Sequence, residues 1–205
     1  MASALRLLFS PDHPLVFSYL NYFDRILLRQ TCSVLHNTIP LPRGMHRQCA
    51  CEEAAKTGSL PALQWARSVK CPWNDWTCAR AAEKGHLSLL QWARANHCPW
   101  SMETCTFSAL GGHLSVLQWL RANGCPWSVL TCAYAARRGH LALLKWARAN
   151  GCPWNTLTCA WAAWGGHLSV LQWARKNGCP WDWRTVGWAK NDKIREWAIA
   201  NGCPQ

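Results

Sequence analysis

The chain has 205 residues, of which half are apolar and 16 are Trp, so it can bury a core in one or two domains. No apolar run reaches the roughly 18 residues that a membrane span needs, and the first 20 residues do not form a secretory signal, so we expect an intracellular protein. The excess of 22 Lys and Arg over 10 Asp and Glu would attract an acidic protein or nucleic acid, or else coat a solvated surface.

The first 47 residues contain three short amphipathic stretches, each predicted to be a helix, and then a linker rich in Pro and Gly. The stretches span residues 14–20, 24–32 and 34–39. Within them, Phe17-Ser18-Tyr19-Leu20 and Thr31-Cys32 resemble the corresponding positions of the F-box family. This resemblance implies docking of a Skp-type linker protein of a cullin-type ubiquitin ligase through Pro14, Leu15, Phe17, Leu20 and Leu27. The alternative is a plain helical cap, in which the same apolar residues cover the first repeat.

The rest of the chain, residues 48–205, is built from repeats. The tripeptide Cys-Pro-Trp ends at residues 73, 100, 127, 154 and 181, which is a period of 27 residues, and Cys203-Pro204 closes a shorter last unit. A fixed period of this length is typical of a solenoid, in which small units stack and bury their apolar faces against each other. It favours a binding surface over an active site.

Each unit is predicted to be a helix–turn–helix pair without strands. The first helix (helix A) follows an N-cap residue, carries small apolar side chains and ends at a glycine. The second helix (helix B) begins near a histidine and stops before Cys-Pro, which cannot continue it. The five N-cap residues are Asn74, Ser101, Ser128, Asn155 and Asp182, and the small apolar residues of the first full unit are Cys78, Ala81 and Ala82.

The stretch from Ala162 to Leu171, with Ala-Ala, Gly-His and Leu at fixed spacing, resembles the core of ankyrin repeats, and residues 81–90 and 135–144 match equally well. The units are shorter than the family's usual 33 residues or so. The missing piece corresponds to the β-hairpin finger of that family, and we expect the Cys-Pro-Trp turn to replace it. The resemblance implies an all-α, ankyrin-like helical solenoid with a small helical head, which binds proteins and has no catalytic activity.

Ten of the thirteen cysteines form two rows, one on helix A and one in Cys-Pro-Trp. Equivalent atoms of stacked helices lie about 8–10 Å apart, and a disulfide needs Cα atoms within about 7 Å. Neither row can therefore cross-link itself, and we predict reduced, buried thiols. The repeated histidines at 86, 113, 140 and 167 also spread along the stack, so we expect no zinc site and no cofactor. We predict that each histidine fixes the turn between its two helices through hydrogen bonds.

Two further rows lie on helix B. The Trp row, which includes Trp92 and Trp119, is predicted to be core between repeats. The Arg row two residues later, which includes Arg94 and Arg121, is favoured by the helix dipole. It is also the best candidate for contact with a nucleic-acid backbone.

The residues that differ from unit to unit are the candidates for recognition, because packing forces scaffold residues to repeat. One variable stripe on helix A is spaced i, i+4, i+7, opposite the small apolar side, and is rich in the residue types of binding hot spots. Its predicted partner-binding residues are Trp76, Arg80, Phe107, Leu130, Tyr134, Arg137, Leu157, Trp161 and Trp164. The alternative is that these side chains are buried in a groove against the helix layer.

Together, the two resemblances imply a non-catalytic adaptor. The head would hold the ligase linker, and the repeats would hold the target protein, a combination found among large DNA viruses and some protists. The alternatives are a protein-binding scaffold without ligase contact and a solenoid that binds nucleic acid along helix B. We expect a monomer that has no membrane contact.

Overall fold

The computed structural model describes residues 49–68 and 70–205, and in this part of the chain it contains twelve helices and no strand. The predicted all-α class is therefore confirmed. The F-box-like segment, with Pro14, Leu15, Phe17, Leu20 and Leu27, lies outside the described residues.

The helices form six consecutive pairs, each an A helix followed by a B helix. The A helices are α1 (Cys49–Thr57), α3 (Asp75–Glu83), α5 (Met102–Gly111), α7 (Val129–Arg137), α9 (Thr156–Gly165) and α11 (Trp183–Gly187). The B helices are α2 (Leu60–Ser68), α4 (Leu87–Ala95), α6 (Leu114–Ala122), α8 (Leu141–Ala149), α10 (Leu168–Lys176) and α12 (Asp192–Ala200). None of the described helices is long and apolar enough to cross a membrane.

The A helices begin where the sequence predicted. The five N-cap residues have extended backbone directly before α3, α5, α7, α9 and α11. The side chains of Ser128, Asn155 and Asp182 each accept a hydrogen bond from the backbone N–H two residues later. Such a cap satisfies one of the donors that a helix leaves open at its start.

The A helices pack side by side in chain order, and each B helix packs on the A helix of its own pair. The close layer of A helices depends on small side chains, since Cys78, Ala81 and Ala82 are completely buried and their equivalents recur in the later full units. Larger side chains, such as Leu90 and Leu171, fill the space between the A and B layers. The predicted small apolar side of helix A is therefore confirmed.

Helix A ends at a glycine with left-handed backbone, and this glycine also contacts the next unit. Gly139 has φ +77°, and the N–H groups of Gly139 and His140 donate to Ala136 (3.2 Å) and Ala135 (2.9 Å), which is a Schellman arrangement. A Cβ atom at Gly139 would lie 2.6 Å from Nδ1 of His167. The glycine is therefore required both by the backbone turn and by the imidazole of the following repeat.

The repeated histidines connect neighbouring units. Nε2 of His86 lies 3.3 Å from the carbonyl oxygen of Lys56, and Nε2 of His140 lies 3.4 Å from that of Leu110, in each case 30 residues earlier. Neither side chain caps its own helix. The backbone N–H groups of His86 and His140 do hydrogen-bond within their own turns, as predicted, but their rings reach across to the preceding repeat, which was not predicted.

The Cys-Pro-Trp segment is held by a stack of three side chains. The Arg94 guanidinium lies 3.9 Å from the ring centroid of Trp100 and donates a hydrogen bond to the carbonyl of Cys98. Trp100 in turn meets Trp119 edge to face, with ring centroids 5.8 Å apart. The stack thus runs from one B helix through the loop to the next B helix. It recurs as Arg67–Trp73–Trp92, Arg121–Trp127–Trp146, Arg148–Trp154–Trp173 and Arg175–Trp181–Trp197.

The eleven described cysteines are buried, and none of them forms a disulfide. The thiol of Cys105 donates to the carbonyl of Cys125 (3.8 Å), and the thiol of Cys125 donates to that of Ser101 (3.4 Å). Burial raises the pKa of the Cys51 thiol to about 11. For these eleven residues the prediction of reduced, buried thiols is confirmed.

Candidate protein-binding surface

The variable stripe of the A helices is partly exposed to solvent. Trp76 and Trp164 are 39% and 46% exposed, and the other predicted binding residues are half-buried. We call this stripe the A-helix face. The half-buried members are Arg80, Phe107, Leu130, Tyr134, Arg137, Leu157 and Trp161. Because none of the nine is buried, the alternative of a stripe sealed inside the helix layer does not hold.

A first aromatic cluster lies on α3 and α5. Trp76 and Phe107 meet edge to face with ring centroids 5.3 Å apart, and the Arg80 guanidinium lies about equally far from both rings, at 5.4 and 5.5 Å. Arg80 also forms an ion pair with Glu83, with 2.9 Å between Nη1 and Oε2. The charge at this end of the A-helix face is therefore neutralised within the chain.

A second aromatic cluster lies on α7 and α9. Tyr134 and Trp161 meet edge to face at 4.7 Å, and the Arg137 guanidinium lies 4.1 Å from the centroid of the Trp164 ring. Trp164 reaches this place because α9 ends very close to α7: a Cβ atom at Gly165 would lie 2.1 Å from the carbonyl oxygen of Arg137. The sequence therefore places glycine where the two backbones approach each other.

The face continues into the shortened last unit, which the sequence prediction left out. A groove of about 700 Å³ opens between the ends of α7 and α9 and the residues that follow α11. We call it the basic groove. The side chains that form it are Arg137, Arg138, Trp164, His167, Trp188 and Lys190. Trp188 stands 27 positions after Trp161, so extending the repeat period into the shortened last unit would have found it.

The charge of the A-helix face changes along the stack. From Thr104 to Trp181 the sequence has no Asp or Glu and has seven Lys or Arg. Among the described residues, no carboxylate lies within 4.0 Å of a basic side chain of this stretch. One end of the face is therefore neutral, and the other end is cationic.

The arginines of helix B contribute less to an open basic surface than the sequence suggested. Each of the five that end α2, α4, α6, α8 and α10 is stacked on a Trp ring and bonded to a cysteine carbonyl. Their role is to hold the connection between units. The row is thus part of the scaffold, for a reason more specific than the helix dipole.

The A-helix face offers binding contacts. No set of three or more His, Cys, Asp or Glu among them lies close enough together to hold a metal ion. The thiol of Cys105 has its pKa raised by its hydrogen bond to Cys125 and by burial, so it is a poor nucleophile at neutral pH. What the A-helix face presents is aromatic surface with flanking cations.

Comparison with known proteins agrees with the helical repeat fold. Residues 132–175, most of α7 to α10, match a family model described as ankyrin repeats (many copies). The structure is similar to the crystal structure of the human ASB11 ankyrin repeat domain, with a TM-score of 0.57 over 75% of this chain and 83% of that chain, at 15% sequence identity. No curated protein matches the sequence. The described residues form an ankyrin-like solenoid.

The predicted ankyrin-like fold is therefore confirmed, and the family-model match over residues 132–175 suggests a protein-interaction scaffold. The matched residues include the second aromatic cluster of the A-helix face. The ankyrin-like solenoid described here contains no β-hairpin fingers, since residues 49–68 and 70–205 include no strand. The Arg–Trp–Trp stack occupies the connection between its units.

Proposed function

We propose that this chain is a non-catalytic adaptor that binds a target protein through the A-helix face. The observation that carries this proposal is the second aromatic cluster, in which Tyr134, Trp161 and Trp164 surround Arg137 at the surface. Tyr, Trp and Arg dominate binding hot spots, and a contiguous exposed aromatic patch on a soluble protein usually marks an interface. The scaffold does not need these residues, because other units carry different ones at the same positions.

The direct test is affinity capture followed by quantitative binding. The full chain would be used to capture its partner from an extract, and the purified partner would then be titrated calorimetrically. We expect Trp164→Ala to weaken binding by about 2 kcal/mol or more, as truncation of a hot-spot residue does. The matched control is Gln172→Ala, an exposed side chain on α10 of the same unit. Equal affinity of the wild type and both variants would contradict the proposal.

The finer part of the proposal concerns the first 47 residues. Their F-box resemblance leads us to propose that the head docks a Skp-type linker protein, and that the chain thereby recruits its target to a cullin-type ubiquitin ligase. The resemblance rests on Phe17-Ser18-Tyr19-Leu20 and Thr31-Cys32 at the family's spacing.

The ligase contact is tested separately from target binding. A pull-down with a Skp-type linker would compare the wild type with Phe17→Ala/Leu20→Ala. We expect retention of the linker by the wild type and loss in the double variant. If neither protein retains the linker, the ligase contact is wrong and the chain is a scaffold without it.

A further inference from the structure

The basic groove combines cations and aromatic rings in one concave site. Arg137 ends α7 on one side of it and Arg138 follows directly, and Lys190 follows α11 on the other side. Trp164 and Trp188, which are 46% and 39% exposed, supply its apolar surface.

We propose that the basic groove binds a short acidic segment of the target protein. Carboxylates of that segment would pair with Arg137, Arg138 and Lys190, and an apolar side chain between them would pack on Trp164 and Trp188. This inference rests on the proposed function, because it names the part of the target that the A-helix face recognises.

These three cations have no carboxylate partner within the described chain. None of the three has a carboxylate within 4.0 Å among the described residues. Elsewhere on the same face the chain does supply partners: Arg80 pairs with Glu83 at 2.9 Å, and Arg184 pairs with Asp182 at 2.6 Å. Like charges gathered in one groove repel each other, and an incoming carboxylate relieves that repulsion.

The orientation of Arg137 suits it to receive a carboxylate. Its guanidinium stacks on the Trp164 ring at 4.1 Å. Stacking uses the flat face of the guanidinium and leaves its N–H edge available, and that edge is the one that pairs with both oxygens of a carboxylate. The ring thus holds the cation in place before the ligand arrives, which lowers the entropic cost of binding.

The other occupants that could be considered fit the groove less well. Residues 1–48 contain five Arg and two Asp, so this segment of the chain is a poor match for a cationic groove. A nucleic acid tracks a row of cations along its backbone. The regular Arg row of this solenoid is stacked on tryptophans, and the carboxylate-free cations of the face are confined to one groove. An acidic peptide segment, a few residues long, fits a site of that extent.

The experiment selects peptides from a displayed library of random 12-residue peptides, using the full-length chain as bait. The groove variant is Arg137→Leu/Arg138→Gly, which copies Leu110 and Gly111 from the equivalent positions of the preceding unit. The control is Lys145→Gln/Lys176→Ala on α8 and α10, which copies Gln118 and Ala149 and removes the same two charges. Circular dichroism and urea unfolding establish that all three proteins are equally folded.

The expected result is that the wild type and the control select peptides enriched in Asp and Glu beside an apolar residue, and that the groove variant does not. A synthetic peptide from the selection should bind the groove variant about tenfold or more weakly than the wild type, as loss of a charge pair at an interface predicts. Its affinity for the wild type should fall as salt is added.

Three outcomes would overturn the inference. Selected peptides without acidic enrichment would contradict the binding of an acidic segment, while the proposal that the chain binds a target protein would stand. If no peptides are selected while the captured target still binds through Trp164, the groove does not bind a short segment. Displacement of the selected peptide by a single-stranded 20-nucleotide DNA, with an affinity that depends on Arg137 and Arg138, would assign the groove to nucleic acid.

Discussion

At the scale of single residues, tryptophan serves two separate purposes in this chain. Trp154 lies between Arg148 and Trp173, 4.1 Å from the guanidinium carbon and 5.9 Å from the neighbouring ring centroid, and it fixes the loop between two units. Trp164 lies at the surface, with one contact to Arg137 and nearly half of its area open to solvent. The two residues are ten positions apart, so their effects can be compared in one protein.

We expect Trp154→Ala to lower the free energy of unfolding by about 2–3 kcal/mol, because it removes an aromatic pair, a cation–π contact and partly buried apolar area. We expect Trp164→Ala to cost about 1 kcal/mol or less, since it loses an exposed cation–π contact and only part of its area is buried. Urea unfolding followed by circular dichroism measures both values. The distinction between scaffold and face is wrong if Trp164→Ala is the more destabilising change.

His140 makes the stability of the chain depend on pH. Burial of its ring against the preceding unit lowers its pKa from the usual 6.5, and the charges of His113, His167 and Arg138 lower it further, while the hydrogen bond to Leu110 opposes the shift. As the pH falls through about 6.5, the unfolded chain therefore takes up a proton before the folded chain does, and folding stability decreases.

The measurement is the urea midpoint at pH 7.5 and at pH 5.5, for the wild type and for His140→Gln. The midpoint of the wild type should be lower at pH 5.5, and the variant should lose part of that difference while it keeps a side chain able to bond the Leu110 carbonyl. An equally steep pH dependence in both proteins would show that His140 is not responsible.

At the scale of the helices, the turn that ends helix A differs in function from the turn that ends helix B. Gly139 and Gly151 both have left-handed backbone, with φ +77° and +83°. A Cβ atom at Gly139 would collide with the ring of His167, at 2.6 Å, whereas a Cβ atom at Gly151 would meet nothing within 4 Å. The first turn is therefore a contact between repeats, and the second is only a turn.

We expect Gly151→Ala to cost about 1–2 kcal/mol of unfolding free energy, which is the penalty of the left-handed backbone alone. Gly139→Ala should cost clearly more, because the histidine of the next unit must also move. Chemical denaturation of both variants gives the comparison. Equal losses would mean that the histidine contact between units contributes nothing.

The repeat pattern predicted the helix starts, helix ends and small buried residues of each unit. The contacts between units were harder to predict. Ser128 as an N-cap, Gly139 as a helix end and Cys78 as a buried small residue follow from local rules that act within a few positions. The contact of His86 with Lys56 depends on the offset between stacked units, which no local rule gives. The contact between Trp100 and Trp119, which joins a loop to the next B helix, was missed for the same reason.

The candidate site was predicted in the same partial way. The i, i+4, i+7 spacing identified the nine residues of the A-helix face because helical geometry alone decides which side chains share a side. Trp188 was missed because the prediction used only the full units, although this residue still follows the 27-residue register after Trp161. Lys190 was missed because it lies where the last unit becomes shorter. The groove forms only when three successive A helices are placed side by side.

At the scale of the whole molecule, the repeated thiols behave as core and not as reactive groups. Eleven cysteines are buried along the stack, and the pKa of several thiols is raised by hydrogen bonds between thiols and by burial, as for Cys132. A thiol that stays protonated and inaccessible reacts slowly with disulfide reagents.

We therefore expect at most two of the thirteen thiols to react rapidly with Ellman's reagent in the folded chain at pH 8, and all thirteen to react in guanidinium chloride. The two are Cys32 and Cys49, whose side chains lie outside the described part. The absorbance of the released thiolate gives the count. Rapid reaction of five or more thiols in the folded chain would contradict the tightly packed stack.

We expect the A-helix face, and not the B-helix side, to meet the target protein. Site-specific photo-cross-linking with p-benzoylphenylalanine at position 164 or at position 172, in the presence of the captured target, distinguishes the two sides. We expect a cross-linked product of chain and target from position 164 and none from position 172. Cross-linking from position 172 alone would place the target on the B helices and contradict the account.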